Sequence, residues 1–178
     1  MMMKQINWFE RTFDFSYEQN IFPSLRERLE GTPILLKNKV ATIPAKNLTI
    51  RRENTWSIQE NIGHLIDLEP LWQGRLDDIL NGEEKLRAVD LKNIKTNLAR
   101  HNDKNIAHLM KDFLSIRSIT MSKLNALTEE EVYKTALHPR LLTPMRTMDL
   151  FLFVAEHDDH HLARITKINN LLLANTSR

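Results

Sequence analysis

Apolar residues recur at helical spacing through several long stretches of this chain, and this pattern constrains its fold most. Few β-branched residues alternate with polar ones, and the chain has only four glycines, so we predict neither a strand nor an internal repeat. The clearest stretch places seven apolar residues on successive helical turns: Ile58, Ile62, Leu65, Ile66, Leu68, Trp72 and Leu76. The pattern predicts an all-α protein.

Capping signals predict where the first helix begins and ends. Ser16 and Gln19 form a predicted capping box before it, and the helix should end near Thr42. The letters "EGTP" at 30–33 combine a C-terminal glycine with a new N-terminal signal. They leave two interpretations open, one kinked helix or two abutting helices.

Three further helices follow at similar length. The second begins after Ser57, whose predicted capping box includes Glu60, and runs to about residue 80. The third and fourth are predicted at about 103–126 and 147–174. Four main helices with one or two long crossover connections describe a four-helix bundle. We expect 1–178 to form a single domain, with residues 1–17 as an N-terminal extension.

Composition excludes several classes of function. The chain has 25 Lys and Arg against 23 Asp and Glu, so a net charge of +2 gives little attraction to nucleic acid or a membrane surface. It has no cysteine, which excludes disulfides, thiolate metal sites and a cysteine nucleophile. Neither a signal-peptide pattern nor an apolar run of about 18 residues occurs. We therefore expect a cytoplasmic protein.

Histidines cluster near the C-terminus, in "AEHDDHHLARI" at 155–165. Because an α-helix advances about 100° per residue, His157 and His161 lie one turn apart within the apolar stripe. Two interpretations remain open for this pair: two buried imidazoles satisfied by hydrogen bonds, or two ligands of one divalent metal. His160 lies at the edge of the stripe and becomes a ligand only if the helix is rotated.

His64 favours the metal interpretation. It stands within "ENIGHLIDLE", at the edge of the apolar stripe of the second helix, and facing helices of a bundle commonly assemble metal sites. Three histidines with an open fourth position are typical of catalytic zinc. We predict a site for one divalent metal at His64, His157 and His161.

The other histidines lack a matching partner in the sequence. His101 and His108 lie in or beside the third helix, and His138 precedes a proline, so we predict surface or capping roles for all three. Two carboxylates lie one turn from His64: Asp67 after it and Glu60 before it. Either is a candidate to orient His64 or to accept a proton, and an exposed position on the polar helix face is the alternative.

The letters "HDDHH" imitate the H-E-x-x-H motif of metalloproteases, with Asp158 in place of the glutamate. Aspartate is shorter by one methylene and would not place its carboxylate equivalently. The third downstream ligand is also missing. We therefore do not predict a peptidase, and we expect Asp158 and Asp159 on the polar side of the helix.

With these residues in place, the chain resembles the DinB superfamily of four-helix metal-binding proteins. The resemblance spans about 22–165, and its most specific part is the tryptophan-led helix with one histidine, followed much later by H-x-x-x-H. The segments that carry it are "FPSLRERLEGTP", "WSIQENIGHLIDLEPLW", "HPRLLTPMRTMDL" and "AEHDDHHLARI". It implies an up-down-down-up bundle, frequently dimeric, with zinc or nickel on His64, His157 and His161.

The resemblance also implies an activity. Members of the family include thiol S-transferases that use bacillithiol, a mycothiol-dependent isomerase and proteins described as metal-dependent hydrolases. It therefore implies an enzyme whose metal activates a low-molecular-weight thiol or water for S-transfer or hydrolysis on a small substrate. The alternative is a non-catalytic metal-binding protein or a stress-response interaction protein. Many relatives carry R-G-Q after the last histidine, where this chain has Leu162, Ala163 and Arg164, so contacts of those residues do not transfer.

Overall fold

Four long helices frame the part of the chain that the computed structural model describes, residues 5–52 and 55–176. They are α1 (Phe22–Ala41), α2 (Ile58–Leu80), α4 (Ile106–Asn125) and α6 (Thr147–Thr176), and the short helices α3 (Ile94–Leu98) and α5 (Glu129–Tyr133) lie in their connections. A two-stranded antiparallel hairpin, β1 (Thr135–Leu137) with β2 (Pro144–Arg146), precedes α6. The predicted all-α four-helix bundle is confirmed.

The helices form a ring in which α1 and α2 stand diagonally opposite, each packed against both α4 and α6. Contacts along α1 and α6 advance together, because Arg28 meets Glu156 and Lys39 meets Thr166 further along both helices. The helices α1 and α6 are therefore parallel.

The same reasoning gives the direction of α2. Its contacts with α4 advance together along both helices, whereas its contacts with α6 run in opposite orders. The pairs are Glu69–Arg117 and Asp77–Lys123 for α4, and Asn61–His161 and Trp72–Phe153 for α6. Hence α2 and α4 are parallel to each other and antiparallel to α6, which is the up-down-down-up order that the resemblance implies.

This topology requires long connections. Residues 42–57 and 126–146 each join diagonal helices, and residues 81–105 return along the bundle to join the parallel helices α2 and α4. The chain therefore has three long connections, rather than the predicted one or two. The connection 81–105 carries residues that the site uses.

The helix α1 is continuous although Pro33 lies inside it. Proline has no N–H to donate to the carbonyl oxygen of Leu29, four residues earlier. The Nη1 atom of Arg117 in α4 donates to this oxygen instead, at 3.0 Å. A tertiary contact thus satisfies the backbone where the sequence suggested a stop. The predicted capping box at Ser16 is wrong, because α1 begins at Phe22.

Of two other local predictions, one is confirmed and one is wrong. The Ser57–Glu60 capping box at the start of α2 is confirmed, with both of its hydrogen bonds present. The expectation of no strand is wrong, since β1 and β2 pair with Thr135 opposite Arg146. Strands of three residues are too short to produce a periodic signal.

Two apolar cores fill the bundle, one on each side of a layer of buried polar side chains that contains His64, His157 and His161. We call this the polar layer. On α2 the sequence passes from Ile58 and Ile62 in one core, through the polar layer, to Leu76 in the other. On α6 it passes the opposite way, so the histidines of both helices reach the middle of the bundle. Within the described residues, no helix combines the length and apolarity that a membrane span requires.

Candidate metal centre

The polar layer brings together the three predicted ligands. One ring nitrogen from each of His64, His157 and His161 lies within 4.8 Å of the other two. All three side chains are buried. They come from facing, antiparallel helices, so a single bundle position collects residues that are about 100 apart in sequence.

Asn61 fixes the protonation of His161. The amide nitrogen of Asn61 donates to the carbonyl of Ser57, so its Oδ1 faces His161 as an acceptor. The Nδ1–H of His161 donates to this oxygen at 2.8 Å, which leaves the Nε2 lone pair directed into the cluster. The carbonyl partner is how proteins commonly orient a histidine ligand.

Thr96 does the same for His64. Its hydroxyl lies 3.1 Å from Nδ1 of His64, and a hydrogen bond from Thr96 is among the causes that lower the pKa of Asp67. Since the hydroxyl donates to the carboxylate, it accepts from Nδ1–H of His64. The Nε2 atom of His64 is then free for the cluster. Asp67 therefore acts on His64 through the hydroxyl of Thr96, and its carboxylate does not contact the imidazole directly.

His157 completes the group, and its ring makes no hydrogen bond outside the cluster among the described residues. Its Nε2 lies 3.2 Å from Nε2 of His161, and its buried Nδ1 has no hydrogen-bond partner among the described residues. Two ring nitrogens that face each other at this distance are well placed to donate lone pairs to one cation. Imidazole nitrogen suits zinc or nickel better than magnesium or calcium. The residues present thus fit a divalent transition metal.

Burial keeps these imidazoles neutral. It lowers the pKa of His64 to about 4 and outweighs the raising effect of Asp67, and His101 and His160 add smaller lowering effects. Burial also lowers the pKa of His157 and His161 well below the ordinary value, and the neighbouring histidines add to this. Because a metal binds the neutral ring, these ligands need to lose no proton near neutral pH.

The two candidate carboxylates, Asp67 and Glu60, have different hydrogen-bond partners. Burial would raise the pKa of Asp67, but hydrogen bonds from His101 and Thr96 outweigh it and the pKa is lowered. Glu60 instead closes the capping box of α2 and pairs with Arg51. Burial opposes ionisation of Glu60 as well, and these partners outweigh it to lower its pKa. Only Asp67 connects to the cluster.

The structure corrects two of the remaining histidines. His101 is buried against α2, where its Nε2 lies 2.8 Å from Oδ2 of Asp67. His138 is buried too, and its Nδ1 accepts hydrogen bonds from the backbone N–H groups of Arg140 and Leu141. The prediction of a capping role for His138 is thus right and that of an exposed position is wrong. His108 is exposed, as predicted.

His160 does not join the cluster. Its Nδ1 lies 3.2 Å from Nε2 of Gln5, and Nε2 of Gln5 also donates to its backbone carbonyl. Burial and two nearby arginines lower the pKa of His160 to about 4. It lines the cavity beside the cluster without being one of the three grouped nitrogens.

Asp158 is buried, which contradicts its predicted place on the polar side. It accepts from Arg117, which also donates to Glu69, and all three side chains are almost inaccessible. The α6 helix is packed on more than one side, so a position 100° from the histidines still faces the bundle interior. Asp159 is exposed and pairs with Arg28, as predicted for a polar face.

Asn61 and Thr96 were not predicted as parts of the site. Asn61 lies three residues before His64 on α2, so its spacing and its polar character among apolar neighbours were signals available in the sequence. Thr96 offered none, since it reaches His64 from a connection 32 residues away. Its position depends on how 81–105 folds back over α2.

The cluster forms part of the wall of a cavity of about 510 Å³. Trp56, Leu68, Trp72 and Phe153 contribute apolar and aromatic wall. The segment before α1 closes another side, because the ring of Trp8 lies 4.9 Å from that of His157. The predicted N-terminal extension therefore contributes directly to the site.

Comparisons with known proteins found a family and a solved structure that resemble this chain. The family model of the DinB superfamily matches residues 28–165. The solved structure of YfiT from Bacillus subtilis, described as a probable metal-dependent hydrolase with an unusual four-helix bundle topology, is similar with a TM-score of 0.77. The sequences are 21% identical, and the likeness covers 92% of this chain and 94% of that one. No curated protein matches the chain. The match to the family model over most of the chain shows that this protein belongs to the DinB superfamily.

Proposed function

We propose that this protein is a metal-dependent enzyme that acts on a small molecule in the cavity. One observation carries the proposal: three buried imidazole nitrogens converge within 4.8 Å in the cavity wall. A zinc or nickel ion held by three neutral ligands keeps its full positive charge and lowers the pKa of a bound water or thiol toward neutrality.

The protein's own residues would orient the three histidines and exclude water from the centre. Asn61 and Thr96 hold His161 and His64 in the tautomers whose free nitrogens face the cluster. Trp8 and Trp72 pack edge-on against His157, with ring centroids 4.9 and 5.8 Å away. These rings exclude water from one side of the centre and strengthen electrostatic effects there.

The nucleophile is a thiol or water, and the electrophile is a small substrate. S-transfer rests on the resemblance to thiol transferases of the family, and hydrolysis on the likeness to YfiT. The chain has no cysteine of its own, so a thiol nucleophile would have to be an external low-molecular-weight thiol. A homodimer, which the resemblance implies, is part of the proposal, as is a cytoplasmic location, which the absence of cysteine favours.

Turnover assays on metal-loaded protein test this directly. One panel combines low-molecular-weight thiols with an alkyl halide, and the other contains esters and amides. We expect turnover in one panel, its loss in His157→Ala and its retention in the exposed control His108→Ala. Turnover that survives both chelation and His157→Ala would contradict the proposal. Light scattering of the same preparation reports the oligomeric state.

A non-catalytic metal protein is the alternative. A structural metal contributes its binding free energy to folding, so chelation should lower the melting temperature steeply, whereas a catalytic ion should change it modestly. A bundle with two apolar cores outside the polar layer favours the modest change. Melting with and without chelator separates the two cases.

A further inference from the structure

A second group of polar side chains lines the same cavity, apart from the three histidines. Arg75 and Arg140 both contribute to its wall, as does His138. Arg75 lies eleven residues after His64 on α2. That spacing is about three helical turns, so both residues share one face of the helix, about 16 Å apart along its axis.

Arg75 is a buried cation without an anionic partner. Its side chain is 1% exposed, and no carboxylate within the described residues forms an ion pair with it. Its Nε donates to the carbonyl of Arg87, while its buried Nη2 has no partner. Asp78, the carboxylate that acts on it from a distance, is bound to Arg87. A buried guanidinium normally requires a paired anion.

His138 adds a second donor that points at the first. Because its Nδ1 accepts from two backbone N–H groups, the proton of the neutral ring lies on Nε2. That Nε2 lies 3.1 Å from Nη1 of Arg75. Two N–H donors therefore face each other with no acceptor between them.

Arg140 brings the third donor. Its side chain packs over the ring of Phe9 and makes no ion pair among the described residues, and its buried Nη2 lacks a partner. The carboxylates that line the cavity, Glu10 and Asp90, are used locally. Glu10 accepts from Asn7, and Asp90 accepts from backbone N–H groups at the start of α3.

We propose that Arg75, Arg140 and His138 form a subsite for an oxyanion, the carboxylate or phosphate group of the substrate. An oxyanion between these side chains would accept hydrogen bonds from them and neutralise both guanidinium groups. Burial lowers the pKa of Arg75 to about 10, and Arg140 and Arg87 add to this, so an anion in the subsite relieves repulsion as well.

The substrate class follows from the two ends of the cavity. It is an elongated small molecule with an anionic group at Arg75, an apolar middle along Leu68, Trp72 and Phe153, and its reacting group at the histidines. Only the role of the reacting end rests on the proposed function. The anionic end depends on the arginines alone.

Isothermal titration calorimetry with three probes of eight carbons each tests the subsite: octanoate, octyl phosphate and uncharged octanol. Full-length, zinc-loaded protein is titrated, and the series is repeated after dialysis against chelator. We expect both anions to bind at least about tenfold more tightly than octanol, since only the anions form charge-assisted hydrogen bonds with the two guanidinium groups. The tighter of the two anions identifies the group.

Two variants and a charge control decide the outcome. Arg75→Gln and Arg140→Gln should each weaken the anions about tenfold or more while leaving octanol unchanged. Arg100→Gln removes an exposed cation outside the cavity and should change nothing. If Arg75→Gln fails to fold, Arg140→Gln carries the test.

Equal binding of octanol and octanoate would overturn the proposal. So would anion binding that is lost with the zinc but kept in Arg75→Gln and Arg140→Gln, because the anion would then bind the metal. Anion binding that persists without zinc and requires the arginines supports the subsite even if no metal-dependent turnover is found.

Discussion

The imidazole of His101 occupies the space that a Cβ atom would need at Gly63, the residue before His64. Only a residue without a side chain lets the connection 81–105 approach α2 so closely. The approach places His101 on Asp67 and Thr96 on His64. A glycine next to a candidate ligand thus admits the contacts that orient it.

Gly63→Ala tests this approach. A methyl group overlapping the His101 ring must displace the connection, which should lower the free energy of unfolding by about 1–3 kcal/mol. Gly31→Ala is the matched control, because nothing lies near the added Cβ, and it should stabilise α1 by about 0.5–1 kcal/mol. Denaturant unfolding measures both. Equal effects of the two substitutions would contradict a close approach at Gly63.

Alanine at His64, His157 or His161 should each weaken metal binding by about a hundredfold or more, since each removes one of the three grouped nitrogens. The exposed His108→Ala should keep the occupancy of the unmodified protein. Elemental analysis after dialysis against trace zinc or nickel measures occupancy. Loss that is the same in all four variants would refute the assignment.

Thr96→Val should weaken metal binding about 10- to 100-fold, because the isosteric valine cannot accept from Nδ1–H of His64. Thr96→Ser keeps the hydroxyl and should bind nearly as well as the unmodified protein. Competition with a chromophoric chelator gives the affinities. If valine and serine behave alike, the Thr96 hydroxyl does not orient His64.

The metal-free protein should lose stability as the pH falls from about 6.5 toward about 4. Burial lowers the pKa of His64, His138 and His160 to about 4, and that of His157 and His161 in the same direction. In this window the unfolded chain takes up protons that the folded chain does not, so acid favours unfolding.

Melting temperatures of chelated protein between about pH 7 and pH 5 check this dependence. His138→Gln removes one of the lowered groups without touching the three-histidine cluster, so its melting temperature should fall less steeply with pH. A melting temperature that stays constant over the range in the unmodified protein would show that the folded chain protonates as readily as the unfolded one.

Arg117→Met should destabilise the protein by about 3–5 kcal/mol, because it leaves Glu69 and Asp158 buried without their cation. Adding Glu69→Gln and Asp158→Asn should restore part of the loss. The half-exposed pair of Lys123 with Asp77 gives the comparison, and Lys123→Ala should cost less than about 1 kcal/mol. Urea unfolding that shows equal costs would contradict a buried charge network.

The sequence by itself determined the helices and the pair of candidate ligands on α6. Helical spacing, the Ser57 capping box and the i, i+4 relation of His157 and His161 are set by neighbours within one or two turns, and local chemistry reads them directly. The choice of His64 as the third residue had weaker local support, because it lies at the edge of its apolar stripe, and the family resemblance strengthened it.

The tertiary structure alone decided what surrounds those ligands. Pro33 sits in an unbroken helix because a guanidinium from α4 satisfies the carbonyl of Leu29. Asp158 is buried because it pairs with the guanidinium of Arg117, which lies 41 residues away in the sequence. Thr96 reaches its histidine only once residues 81–105 return across α2. Each of these depends on a partner distant in sequence, and local periodicity carries no information about such partners.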